Sequence, residues 1–158
     1  MRPSDTSFTI KPIARIETSE GFAVAVDEPH REGLIGLDGF SHAVLIWVAH
    51  ETDEGTHVID KPYQQGPDRV GVFSTRSAAR PNQLGVSVAP LVGVDVDEGT
   101  VRLAWVDALD GTPVVDIKPY FPSSDRVVQA TTPSWCAHWP QSLEESATFD
   151  WESVFTEH

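Results

Sequence analysis

Apolar residues along this chain come in short runs, many of them alternating with polar ones, and Gly, Pro and Asp separate each run from the next. Runs rich in β-branched and aromatic residues at 8–17, 22–26, 43–49, 70–74, 84–96, 101–106 and 114–117 predict strands. Asp97-Glu-Gly-Thr100 predicts a tight turn between two of them. Pro90 has no N–H to give a ladder, so it is expected at a bulge or a sheet edge. Helical periodicity is confined to the C-terminal region, where Ser142-Leu-Glu-Glu145 reads as a capping box. Leu143, Ala147, Trp151, Val154 and Phe155 fall near one helical face there. Residues 52–68 and 122–140 read as linkers. So many short strands in a small chain predict a mostly β fold, an antiparallel sheet curled into a small barrel with few short helices.

At 158 residues the chain is expected to form a single domain, with a core over about 8–122 and a C-terminal extension over 123–158. One cysteine, Cys136, excludes an intramolecular disulfide and a cysteine-based metal cluster. The N-terminus lacks the apolar core of a secretion signal. The longest wholly apolar run, 43–49, falls far short of the ~20 residues of a membrane helix. A soluble, cytoplasmic protein with no membrane partner is expected. Acidic residues number 24 against 11 basic ones, for a formal net charge of −13. Nucleic-acid binders ordinarily present a basic face. The excess therefore admits three readings: a substrate that is not a polyanion, a solvation adaptation to salt, or an ordinary acidic surface.

Two polar stretches stand out, 69–87 and 107–120. In the first, Arg76 and Arg80 lie four apart and Pro81 stiffens the chain before Asn82. Fixed guanidinium forks suit carboxylates, phosphates or planar base faces, and they also suit structural ion pairs with nearby acids. In the second, Asp107, Asp110 and Asp116 offer carboxylates for acid–base work or a hard cation. Asp110-Gly111 also reads simply as a turn, and Asp116 with Lys118 as an internal ion pair. The six histidines show no H-x-H or H-x-x-x-H spacing, so no zinc site is expected. His42, beside Phe40, reads as structural. No phosphate-binding glycine loop and no dinucleotide fingerprint is present.

Gly71-Val-Phe73, Thr75-Arg-Ser77, Arg80-Pro-Asn82, Leu84-Gly85, Ser87, Asp110-Gly-Thr-Pro113 and Asp116-Ile-Lys-Pro-Tyr120 occur in that order. Gly36-Leu-Asp-Gly-Phe-Ser-His42, with Trp47 and His50, precedes them. Over roughly residues 10–122 this pattern resembles the TsaA-like (YaeB/TrmO) family. The resemblance implies a β-barrel that uses S-adenosyl-L-methionine (AdoMet) to methylate N6 of tRNA adenosine 37 already carrying a threonylcarbamoyl group. It also implies a homodimer paired across the cofactor region. By the same resemblance, His50, Glu51, Arg76, Val86, Val106, Asp107, Ala108 and Leu109 are the candidate cofactor contacts. Within such a reaction, Asn82, Lys118 and Tyr120 are candidates to orient the nucleotide. Arg80 is a candidate to hold the threonyl carboxylate, and Asp116 is a candidate base. Trp135 and Trp139 are expected to be exposed and to anchor the dimer interface. The chain departs from the family pattern at Gln83 and Ala78, which stand where prolines are usual, and it has no PxQ segment between Glu20 and Phe22. Two other functions stay open on this reading: a methyltransferase acting on a small molecule or a protein, and a non-catalytic AdoMet-binding module.

Overall fold

A computed structural model describes residues 7–156, so most of the stretch read above for a secretion signal lies outside it. Six strands close into an antiparallel barrel: β1 (Ala14–Glu17), β2 (Phe22–Val26), β3 (His42–Val48), β6 (Leu84–Asp95), β7 (Thr100–Leu103) and β8 (Pro113–Pro119). Around the barrel the order is β1-β2-β7-β6-β3-β8, with β8 returning to pair with β1. Two further strands, β4 (Val58–Asp60) and β5 (Arg69–Gly71), pair outside it.

Alternation sets the inside of the barrel. Ala14, Ile16, Val24, Val26, Ala43, Leu45, Ala89, Val101, Leu103 and Val114 are all buried and form one cluster. A six-stranded lumen is narrow, and alanine, β-branched and leucine side chains fill it. Between β2 and β3 the chain arches through 3-10 turns at Glu28–Leu34 and Leu37–Gly39. Leu34 and Leu37 from this arch join the core cluster and seal one end.

The longest strand, β6, serves two partners. From Leu84 to Pro90 it pairs with β3, and from Leu91 to Asp95 with β7, with a register shift between Leu91 and Gly93. Pro90 sits at that handover, so its missing N–H falls where the ladder changes partner, as its chemistry requires. The expected turn joins β6 to β7. There the Asp95 carboxylate accepts from the Glu98 N–H (3.0 Å), and Gly99 takes φ +69. A Cβ on Gly99 would press on the Val26 carbonyl and the Arg31 side chain, so only glycine fits.

Several expectations need adjusting. The run at 8–17 forms strand only from Ala14, and the run at 70–74 ends as a strand at Gly71 before a 3-10 turn. The supposed linker 52–68 contains β4. The expected C-terminal helix is one turn. Two such turns occur, α1 (Pro122–Asp125) and α2 (Leu143–Ser146). Ser142 caps α2 by accepting from the Glu145 N–H (3.2 Å), while the Glu145 carboxylate accepts from Gln141 N–H (2.9 Å). Beyond Ala147 the chain leaves the helix and folds back on residues 62–66.

Aromatic rings fix that return. Tyr63 stacks on Trp135 with centroids 5.0 Å apart, meets Trp139 edge-on at 5.4 Å and touches Phe155 at 5.8 Å. Trp139 in turn meets Trp151 at 5.5 Å. Backbone bonds from Gln64 N–H to Val154 O (2.9 Å) and from Thr156 N–H to Pro62 O (3.2 Å) complete the clasp. Trp135 and Trp139 are therefore half-buried and occupied within the chain, which corrects the expectation that they stand free to anchor a second copy. Among the described residues no helix is long and apolar enough to cross a membrane.

Candidate functional site

At one end of the barrel β3 and β7 finish while β6 and β8 begin. A cavity of about 880 Å³ opens there, bounded by three loops. The first loop follows β5. Thr75 Oγ1 donates to Val72 O (2.9 Å) and accepts from Ser77 N–H (3.2 Å), folding the loop tightly on itself. Arg80 Nη1 donates to Thr75 O (3.0 Å) and Ser77 O (3.4 Å), and Arg76 Nη2 donates to Val86 O (3.0 Å) on β6. Neither arginine has an acidic partner among the described residues. Hydrogen bonds to neutral carbonyls leave both charges uncompensated, in a protein of net charge −13.

Pro81 opens the turn that ends this loop. Asn82 and Gln83 then adopt φ +62 and +45, a left-handed conformation unusual for residues with side chains. The Gln83 side-chain amide donates to the Thr52 carbonyl, and the Ala49 N–H donates to Gln83 O (2.9 Å). These bonds pin the second loop, 49–52, which presents His50 and Glu51 with Nε2 and Oε1 3.6 Å apart. Behind it lies Trp47. A Cβ at Gly85 would overlap the Trp47 indole, so the ring lies directly on the β6 backbone, and its Nε1 donates to Ser87 Oγ (3.0 Å).

Residues 105–109 form the third loop. Val106 is buried, yet the backbone N–H groups of Val106, Asp107, Ala108 and Leu109 donate to nothing among the described residues. Unpaired backbone donors beside a cavity are available to a ligand. Asp110 serves the fold instead. Its Oδ1 accepts from the Thr18 N–H (2.8 Å) and hydroxyl (3.3 Å), tying the loop to the β1–β2 turn. The turn reading of Asp110 is the one the geometry favours.

His50, Glu51, Arg76, Val86, Val106, Asp107, Ala108 and Leu109 come from four separate stretches and all line this cavity, as does Arg80. Asn82 sits in the supporting turn and does not line it. Asp116 and Lys118 lie farther along β8, and Tyr120 just past its end, toward the opposite end of the barrel. At ~3.3 Å per residue, the strand carries them roughly 13, 20 and 26 Å beyond Thr112, which does line the cavity. Asp116 borders a second cavity of about 560 Å³ with Ile13, Val26 and Leu34. Lys118 Nζ lies 2.7 Å from Asp116 Oδ2, and that bond, with the carboxylate charge, raises the Lys118 pKa. Tyr120 packs near His42, ring centroids 6.1 Å apart. Sequence reasoning missed Trp47, Phe73, Thr75, Ser87, Trp105 and Thr112 as lining residues. For Phe73 and Trp105 the available signal was a large aromatic inside a glycine- or aspartate-flanked loop. Among the described residues no three His, Cys, Asp or Glu side chains gather into a group able to hold a metal.

Residues 7–126 match the family model described as the tRNA-methyltransferase O N-terminal domain. The tRNA (adenine(37)-N6)-methyltransferase of Escherichia coli (strain K12) is 42% identical over 100 residues, which cover 61% of this chain and 43% of that protein. The chain thus spans under half the length of that relative. A Halobacterium salinarum protein described as a probable S-adenosyl-L-methionine-binding protein is 37% identical over 108 residues, 68% of this chain and 82% of that one. The crystal structure of TrmO from Pseudomonas aeruginosa superposes with a TM-score of 0.64 at 30% identity, covering 80% of this chain and 62% of that one.

Proposed function

Because this chain belongs to the tRNA-methyltransferase O N-terminal-domain family, we propose that it binds AdoMet in the β6-side cavity and methylates tRNA. The proposed acceptor is N6 of adenosine 37 bearing a threonylcarbamoyl group. The observation that carries the reading is convergence: eight candidate contacts from four stretches of sequence border one cavity.

The cavity suits the cofactor. Its volume lies within the ~300–1,000 Å³ of small-molecule sites. The free N–H groups of 106–109 match the edge of a heterocycle, and the uncompensated Arg76 and Arg80 match a carboxylate. Bound AdoMet supplies an electrophilic methyl group on a sulfonium. The protein's part is to position the acceptor and exclude water, and positioning alone is worth ~7–11 kcal/mol. Arg80 holds the loop through Nη1, leaving Nε and Nη2 to face the threonyl carboxylate.

We take 8–122 as the core that carries this site and 123–158 as an extension clasped to it, acting in the cytoplasm where tRNA is modified. We also propose a two-fold homodimer. Asp116, Lys118 and Tyr120 stand far from the cavity of their own chain, so their proposed roles toward the nucleotide, with Asp116 as base, require a second copy to bring them. Asn82 acts on the cavity of its own chain only through the turn that supports it. A monomer mass by light scattering, with AdoMet still tightly bound, would remove the shared site.

The direct test is incubation with labelled AdoMet and bulk tRNA, followed by digestion to nucleosides. Label in modified adenosine is expected, without added divalent ions. Arg76→Ala is expected to weaken AdoMet about tenfold by calorimetry, as loss of a charge-assisted contact does. A second reading, a binding module without transfer, draws on the β1–β2 turn, which closes over residues 18–21 with no PxQ segment. Saturable AdoMet binding with no label in any RNA would select it.

A further inference from the structure

Two sets of aromatic rings in this protein contrast. Around the C-terminal segment they are engaged ring against ring, as Tyr63, Trp135, Trp139 and Trp151 are. Around the cavity they are not. Trp47, Phe73 and Trp105 all line it, and none lies within stacking distance of another ring among the described residues. Trp47 is held by Gly85 on one face and by Ser87 at its nitrogen. Phe73 and Trp105 differ: they are 75% and 50% exposed, on separate loops after β5 and β7.

Resting on the methyl-transfer reading above, we propose that Phe73 and Trp105 are the stacking platform for the methyl-accepting base. An unpaired purine of the RNA lies against these rings at the cavity mouth while the cofactor takes the inner part beside 106–109. Three features favour that occupant. A volume of about 880 Å³ is near the upper end for one small ligand, leaving room for part of a second planar molecule. Single-stranded bases are held by aromatic faces, whereas a paired base has none to offer. A protein with net charge −13 has little phosphate attraction to draw on, so apolar stacking must carry a larger share of RNA affinity. Arg76 and Arg80 border the same cavity along with Glu51 and Asp107, so its lining is near neutral and repels phosphate less than the rest of the acidic chain.

The test uses Phe73→Leu and Trp105→Leu, with Phe73→Tyr and Trp105→Phe as conservative controls. Steady-state methylation of a synthetic anticodon stem-loop carrying threonylcarbamoyl-adenosine at position 37 is read alongside calorimetric AdoMet affinity and thermal midpoint. Each leucine variant is expected to raise the stem-loop KM about tenfold, the scale of one lost base–ring contact. The thermal midpoint should stay as in the parent, because both rings are exposed; AdoMet affinity should change far less than KM, because the cofactor takes the inner part beside 106–109; and the aromatic controls should restore KM. If the parent methylates RNA and the leucine variants keep its KM, the stacking role falls while the methyl-transfer reading stands. If the parent transfers to no RNA, both fall. If the variants instead dissociate into monomers and lose AdoMet and RNA affinity together, the rings belong to an interface between copies and the stacking role is overturned.

Discussion

At position 83 the backbone passes through φ +45, directly after φ +62 at Asn82. The Gln83 N–H donates to Arg80 O (3.1 Å) while its side chain reaches the Thr52 carbonyl, so one residue joins two walls of the cavity. Proline, usual at this place in the pattern the chain resembles, fixes φ near −65° and has no N–H. The conformation seen here is closed to it. Gln83→Pro is therefore expected to destabilise the protein by about 2–3 kcal/mol and to loosen His50 and Glu51. Urea unfolding with an unchanged midpoint would show that the loop re-forms around the ring. The departure from the pattern was visible in the sequence. Its meaning was not, because a side chain's reach to residue 52 and a positive φ are tertiary facts.

Among the elements, the C-terminal clasp has a pH dependence of its own. Burial, and after it the neighbouring Cys136, raise the Tyr63 pKa. The folded protein thus keeps the phenol proton after the unfolded chain begins to lose it. The clasp's contribution is complete below the ordinary tyrosine value of about 10 and declines as pH rises past it. Thermal midpoints should fall across that alkaline range, and Tyr63→Phe should flatten the fall; an equal decline in both proteins would remove Tyr63 as its source. This element also marks where sequence reading stops. The cap at Ser142 was legible, since its residues are adjacent in the chain. The ring cluster was not, since Tyr63 precedes Trp135 by a long stretch and nothing local pairs them. β4 went unread for a different reason: Val58-Ile-Asp60 is short and mostly exposed, so it carries no alternation to detect.

Across the whole molecule, acidic residues outnumber basic ones by 24 to 11, and the ion pairs among the described residues involve few of them. Most carboxylates repel one another at low ionic strength and are screened at high. The melting temperature is expected to climb as KCl goes from low to molar concentration, and a flat or falling curve would refute the salt adaptation. The barrel itself was legible, because buried alternation in β1, β2, β3, β6 and β7 records which face is inside. Its closure was not written in any one run. The seam where β8 meets β1 has two paired positions, Ala14 with Val114 and Arg15 with Pro113, roughly one hundred residues apart in sequence. During synthesis the β1–β2 hairpin leaves the ribosome long before its partner strand exists. A nascent chain in that interval offers a bare β edge to its neighbours on the same message.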